Sequence, residues 1–281
     1  MQPQINHRQS SHCKNQLQIK SMTAIKKIFA NQEINEKRLK QVEALVDPIT
    51  KYIIAITPRS GSSHLCDVLK NTQALGRPGE LLPKEFIPNI LKRAPARTPD
   101  DYLQNVLKVL QSDNGVSGLK ASWFQFNTFC QDLENPSILR QFKYIYLTRK
   151  DAAAQAVSLY AATESSVFHT NKSHADEAIE KLEKLQYDFE KIAFWHHHIS
   201  VQEEGWMRFF ATDILPLHIS YEEIDNDVAS VGKQIAAYLG VKDARIDAMK
   251  NDSIFHKIGD SRNTEWTQRY LSEAGEKSKK D

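Results

Sequence analysis

The stretch AITPRSGSSHLCDVLKNTQALGRPGEL, residues 55–81, joins a short apolar run to a helical pattern through a loop of small polar residues. Residues 51–57, KYIIAIT, have the β-branched and apolar character of a buried strand. Residues 64–75 carry apolar side chains at helical spacing, which predicts a helix that ends at Gly76. The stretch therefore predicts a strand, a loop and a helix, and ligands of α/β proteins bind at such loops.

The loop itself offers groups suited to an anion, which are Arg59, Ser60, Gly61, Ser62 and Ser63. The glycine lets the backbone approach a ligand, the serines supply donors, and the helix N-terminus adds partial positive charge. The arginine presents a planar fork that fits phosphate or sulfate. The GxxxxGK[ST] pattern is missing, which weakens a kinase or ATPase hypothesis. The alternative is an ordinary polar turn in which one of the last two serines caps the helix.

Strands alternate with helices along the rest of the chain. Further strands are predicted within residues 115–123, 142–148 and 215–224. Further helices are predicted near residues 99–111, 149–163 (with Asp151 as its N-cap), 174–204 and 228–240. This alternation predicts an α/β fold with a parallel sheet flanked by helices.

Length and composition favour one globular domain. We expect a flexible N-terminal extension over residues 1–34, a domain over 35–272 and a polar tail over 273–281. A net charge of +2 argues against a nucleic-acid binder that relies on bulk charge. No run of about 18 apolar residues predicts a transmembrane segment. The three cysteines are far apart, which fits a reducing compartment, and we expect a cytoplasmic protein.

A second candidate anion site follows the third predicted strand. Arg149 lies directly after that strand, and Ser158 lies nine residues later, about two turns into the next helix. The carboxyl ends of parallel strands share one edge of a sheet, so this site and the first loop would face the same ligand. Two separate anion sites suggest a nucleotide that carries phosphates at both ends.

Three ordered segments, TPRSGSS (57–63), GRPGEL (76–81) and LTRKDAAAQAVSL (147–159), resemble one family of enzymes. This is the bacterial trehalose 2-sulfotransferase and lipopolysaccharide sulfotransferase family, which uses 3′-phosphoadenosine 5′-phosphosulfate (PAPS). The resemblance implies a P-loop-like sulfotransferase fold in which residues 59–63 hold the 5′-phosphosulfate. It also implies that Arg149 and Ser158 hold the 3′-phosphate, with Lys150 as the alternative because some relatives space the pair eight apart.

The same resemblance implies that Glu80 is the general base that takes the proton of the acceptor hydroxyl, beside Arg59 at the leaving phosphate. Alternatively, Glu80 is a surface residue paired with Arg77, and His64 or Glu85 is the base. The implied reaction is transfer to a carbohydrate or glycolipid without a metal ion, in an enzyme that could form a homodimer. A nucleotide kinase and a non-catalytic nucleotide-binding homologue remain alternative functions.

Several other residues carry weaker signals. His196–His198 are consecutive on a predicted helix and point in different directions, which argues against a metal site. Cys66 is interpreted as a buried structural thiol on the helix that follows the loop. Lys120 and Trp123 could line a pocket, but a solvated lysine and a core tryptophan explain them equally well.

Overall fold

A computed structural model of the chain describes residues 23–168, 175–250 and 261–277. Four strands form one sheet in the spatial order β2-β1-β3-β4, with every neighbouring pair parallel. The strands are β1 (Thr50–Ile56), β2 (Val116–Ser122), β3 (Lys143–Thr148) and β4 (Leu217–Ser220). The predicted parallel α/β architecture is therefore confirmed.

Helices surround this sheet. They are α1 (Ala24–Asn31), α2 (Glu36–Glu43), α3 (Ser62–Asn71), α4 (Ile87–Leu91), α5 (Pro99–Leu110), α6 (Trp123–Cys130), α7 (Ala152–Ser165), α8 (Ala175–Glu183), α9 (Phe189–Phe210), α10 (Tyr221–Leu239), α11 (Ala244–Asp247) and α12 (Ser261–Lys277). Within the described ranges, none of them is long and apolar enough to cross a membrane.

The central strands β1 and β3 bring the two predicted anion sites together. Ile56 at the end of β1 pairs with Leu147 near the end of β3, so the loops that follow both strands start at the same edge. Both faces of the sheet are buried, because Ile53 faces one core cluster while Ile54 faces another. A sheet packed on both sides is a rigid support for those loops.

The domain begins earlier and ends later than the sequence analysis expected. Helix α1 lies within the expected extension over 1–34, but its Ile25 and Phe29 are buried in the core. Residues 1–22 lie outside the described residues. At the other end, α12 continues to Lys277, whose Nζ lies 2.6 Å from a carboxylate oxygen of Glu190. The end of the expected tail, residues 278–281, is also outside the described residues.

Capping residues correct two predicted elements. The single helix expected over 174–204 is two helices, and the Asp188 side chain starts α9 by accepting a hydrogen bond from the backbone N of Lys191. The strand expected over 215–224 stops at Ser220, which forms a reciprocal capping box with Glu223 and starts α10. In both places a local side-chain cap ends a pattern that apolar periodicity alone would extend.

Candidate active site

The loop between β1 and α3 has an unusual backbone. Arg59 has φ 67° and Gly61 has φ 79°, both in the left-handed region. The Ser60 hydroxyl donates to the carbonyl oxygen of Thr57 at 2.8 Å, which closes the loop on itself. The N-cap of α3 is Gly61, with no side-chain capping bond. The alternative of an ordinary turn capped by a serine is therefore wrong.

Gly61 is required for space as well as for conformation. A Cβ atom at this position would lie 2.8 Å from the ring of Tyr221, closer than van der Waals contact permits. Tyr221 is the first residue of α10, directly after β4. The ring thus packs directly against the loop, and any side chain at position 61 would displace one of the two.

Arg59, Arg149, Ser158 and Tyr221 form a group that we call the anion cluster. Nε of Arg59 donates to Oγ of Ser158 at 3.1 Å. The guanidinium carbon of Arg149 lies 4.6 Å from the centre of the Tyr221 ring, a cation–π contact. Burial, and then the nearby charge of Arg149, lower the pKa of the Arg59 guanidinium. Two guanidinium groups, which are positively charged in proteins, therefore share this place.

The anion cluster lacks a compensating charge in the described part of the chain. There, neither Arg59 nor Arg149 forms an ion pair with a carboxylate. Nε of Arg149 is buried and has no hydrogen-bond partner. A buried donor without a partner costs free energy, which a bound phosphate oxygen would recover. The residues present therefore fit a dianionic group such as a phosphate.

The structure changes the grouping of the predicted residues. Arg59, expected with the loop, reaches across to Ser158, and its Nη1 also donates to the carbonyl oxygen of Phe168 at 2.5 Å. Lys150 is exposed, and its backbone N donates to the carboxylate of Glu222.

Glu80, Lys120, Ser63 and Gln125 form a second group that we call the base cluster. Nζ of Lys120 lies 3.2 Å from Oε1 of Glu80 and donates to Oγ of Ser63 at 2.9 Å. Nε2 of Gln125 donates to Oε2 of Glu80 at 3.3 Å. Lys120 is 6% exposed, so the solvated-lysine interpretation is wrong. Glu80 pairs with Lys120 instead of with Arg77.

The backbone around Glu80 explains how the carboxylate reaches this position. Glu80 forms a parallel bridge with Lys120 beside β2, and the backbone N of Lys120 donates to the carbonyl oxygen of Gly79 at 2.9 Å. The next residues, Leu81 and Leu82, are buried in the core. The segment is held on both sides, and the Glu80 side chain remains 32% exposed. A partly exposed carboxylate on a fixed backbone can meet an incoming hydroxyl.

Three other candidate residues, Glu85, Cys66 and His196, do not belong to either cluster. Glu85 is exposed, and its carboxylate lies 3.8 Å from Nζ of Lys84. Cys66 is buried, and burial is the main reason that its pKa rises to about 11. Nδ1 of His196 lies 2.9 Å from the hydroxyl oxygen of Tyr270. Within residues 23–168, 175–250 and 261–277, no group of three or more His, Cys, Asp or Glu side chains could hold a metal ion.

Three residues of the site were missed or left undecided by sequence reasoning. Lys120 stands within the apolar strand GLKAS, where a lysine must find a partner. Gln155 is fully buried in an alanine-rich helix one turn before Ser158, again a polar residue in apolar surroundings. Tyr221 has a weaker signal, because only its position after the fourth strand distinguishes it.

Comparisons with known proteins identify the family to which the chain belongs. The family model for Stf0 sulphotransferase matches residues 51–273. A trehalose 2-sulfotransferase of Mycolicibacterium smegmatis is 24% identical over 270 residues, which cover 81% of this chain and 97% of the relative. The trehalose 2-sulfotransferase of Mycobacterium tuberculosis is 23% identical over 267 residues, covering 80% and 96%.

Similarity to solved structures is more distant. A sulfotransferase from Alicyclobacillus acidocaldarius is 13% identical, with a TM-score of 0.40 and coverage of 81% of this chain and 92% of that chain. Mouse sulfotransferase SULT7A1 complexed with PAP is 17% identical, with a TM-score of 0.38 and coverage of 84% and 70%.

Proposed function

The chain belongs to the Stf0 sulphotransferase family and is a sulfotransferase, and we propose that it transfers a sulfuryl group from PAPS to a hydroxyl of a carbohydrate or glycolipid. The main support for this proposal is that two clusters with different charges lie beside one loop. The anion cluster has surplus positive charge, and the base cluster presents a carboxylate. Membership of this family, with trehalose 2-sulfotransferases as relatives, favours a sulfotransferase over a nucleotide kinase.

The donor would span the loop and the anion cluster. Residues 60–63 would hold the 5′-phosphosulfate through backbone N–H groups and hydroxyls at the start of α3. Arg149 and Ser158 would hold the 3′-phosphate, with Arg59 at hydrogen-bond distance from Ser158. Arg149 is preferred to Lys150 because it lies on Tyr221 with a buried donor to satisfy. A nucleotide without a 3′-phosphate would leave that donor unsatisfied.

In the proposed reaction the acceptor oxygen attacks sulfur while the bond between sulfur and the 5′-phosphate oxygen breaks. The acceptor proton goes to Glu80, and the leaving phosphate takes the electron pair. Lys120 contacts both Glu80 and Ser63, so it fixes the distance between the base and the loop. Its positive charge, with Arg59, would stabilise the negative charge that develops on the leaving phosphate.

Trehalose is the first acceptor to test, because the curated relatives are trehalose 2-sulfotransferases. Their similarity extends over 97% and 96% of their own length and over 81% and 80% of this chain. Glycolipid and lipopolysaccharide acceptors, a homodimer, a cytoplasmic location and a reaction without a metal ion stay predictions.

The Glu80→Gln variant tests the proposed reaction. The amide keeps the size of the side chain but cannot accept the proton, so kcat for transfer from PAPS to trehalose should fall by about 100-fold or more. The affinity for 3′-phosphoadenosine 5′-phosphate (PAP), measured by calorimetry, should change by less than about threefold, since this residue is not in the donor site. Glu85→Gln, a change of the exposed neighbouring glutamate, is the matched control.

The outcomes separate the two parts of the proposal. If Glu80→Gln retains more than about a tenth of wild-type kcat, Glu80 is not the base. If the wild type transfers sulfate to none of a panel of saccharides and glycolipids, the acceptor class is wrong.

A further inference from the structure

Gln155 links the helix of one anion site to the loop of the other. Its Nε2 donates to Oγ1 of Thr57 at 2.8 Å and to the carbonyl oxygen of Pro58 at 2.7 Å. Both acceptors lie in the stretch directly after β1, where strand pairing no longer holds the chain. The two hydrogen bonds of Gln155 therefore connect α7 directly to the start of the loop between β1 and α3.

The orientation of this amide follows from chemistry. The carbonyl oxygen of Pro58 can only accept, so the nitrogen of the amide must face it. The side chain is fully buried, and its Oε1 has no hydrogen-bond partner. A buried acceptor left without a partner is unfavourable. The amide nitrogen of Gln155 is thus satisfied while its oxygen is not. We infer that the hydrogen bonds to the loop are the reason for a glutamine at this position.

The spacing on α7 connects these hydrogen bonds to the 3′-phosphate site. Gln155 and Ser158 are three residues apart, so they share one face of the helix. Gln155 holds the first residues of the loop, and Ser158 accepts from Arg59 at its next turn. Two successive turns of α7 therefore form hydrogen bonds with the loop, one through the amide of Gln155 and one through the hydroxyl of Ser158.

We propose that Gln155 is a positioning residue that sets the separation between the 5′ and 3′ anion sites, and that it thereby selects a nucleotide with phosphates at both positions. This inference rests on the proposed function, because it takes PAPS as the donor. Gln155 does not touch the reacting atoms. Its effect would come from holding α7 and the loop at one distance, so that a single ligand can satisfy both sites at once.

The test compares three ligands by calorimetry on the full chain: PAP, adenosine 5′-monophosphate and adenosine 3′-monophosphate. Gln155→Met keeps an unbranched buried side chain but removes both hydrogen bonds. We expect its affinity for PAP to fall by about 10- to 100-fold, because two buried hydrogen bonds that fix the spacing are lost. Each monophosphate should weaken by less than about threefold, since either site alone needs no fixed separation.

Two further variants keep the test decisive. Gln202→Met changes another buried glutamine whose Oε1 lacks a partner, and it should alter none of the three affinities by more than about twofold. Thr57→Val removes only one of the two acceptors, and it should produce a smaller loss of the same kind. Thr57→Val carries the test if Gln155→Met does not fold.

The result that supports the inference is a loss confined to the bisphosphate. A uniform loss for all three ligands, or an unchanged affinity for PAP, overturns it. Failure of the proposed function is distinguishable, because the wild type itself would then show no preference for PAP over either monophosphate.

Discussion

The anion cluster and the base cluster lie beside the same loop, but they differ in how their charges are compensated. In the base cluster, the positive charge of Lys120 is met by Glu80 at 3.2 Å, and Gln125 satisfies the second carboxylate oxygen. In the anion cluster, Arg59 and Arg149 have no carboxylate partner within the described residues, and burial and mutual repulsion lower the pKa of Arg59.

The charges of the base cluster are thus compensated within the protein, whereas those of the anion cluster would be compensated by a bound anion. The opposite charge of Lys120 and a hydrogen bond from Gln125 hold Glu80 in place before any substrate arrives, and the proposed role as general base would require such preorganisation. Like charges brought together repel each other, and a bound dianion would offset this repulsion.

The variant that would most disturb this contrast is Lys120→Met. It removes the cation that joins Glu80 to Ser63, so the base loses its fixed position relative to the loop. We expect kcat for transfer from PAPS to fall by about 100-fold, and the affinity for PAP to fall by about tenfold, because PAP carries the 5′-phosphate whose charge Lys120 would stabilise. Steady-state kinetics and calorimetry measure the two quantities.

A double variant sharpens the same test. If Lys120 acts in part through Glu80, the loss in kcat for Lys120→Met combined with Glu80→Gln should be smaller than the product of the two single losses. Losses that multiply would mean that the two residues act independently, and the base cluster would not be a unit.

A smaller effect is expected from Gly61→Ala, which acts on the anion cluster through Tyr221. The new Cβ would meet the ring at 2.8 Å, and φ 79° is unfavourable for alanine. We expect unfolding free energy to fall by about 2 kcal/mol and PAP affinity to fall by about tenfold.

Gly79→Ala is the matched control for that variant. A Cβ at Gly79 would meet no atom within 4 Å, so thermal unfolding and PAP affinity should stay near the wild-type values. Equal behaviour of the two variants would show that contact with Tyr221 does not constrain the loop.

The fold and the position of the site were largely predictable from sequence because both depend on local signals. Strand β1 and the small-residue loop are adjacent in the chain, and the Arg149 segment directly follows a second clear strand. The rule that parallel strands end at one edge was enough to bring Arg149 near the loop.

The partners inside the site were not predictable, because they depend on contacts between distant segments. Lys120 meets Glu80 only because residue 80 lies against the outer side of β2. Gln155 meets the loop across a separation of 98 residues. Arg59 meets Ser158 across a separation of 99 residues, and its sequence position says nothing about the direction of its side chain. The sequence alone did not show that Lys120 and Gln155 are buried, so it did not show that they need partners.

We propose that the surplus positive charge beside the loop binds the 3′-phosphate of the donor. Calorimetry with PAP, ADP and ATP plus Mg²⁺ tests it most directly, using the wild type, Arg149→Ala and the exposed control Lys150→Ala. We expect tight binding of PAP alone, weakened about 100-fold by Arg149→Ala and less than about threefold by Lys150→Ala. A preference for ATP plus Mg²⁺, or PAP binding that Arg149→Ala leaves intact, would contradict it.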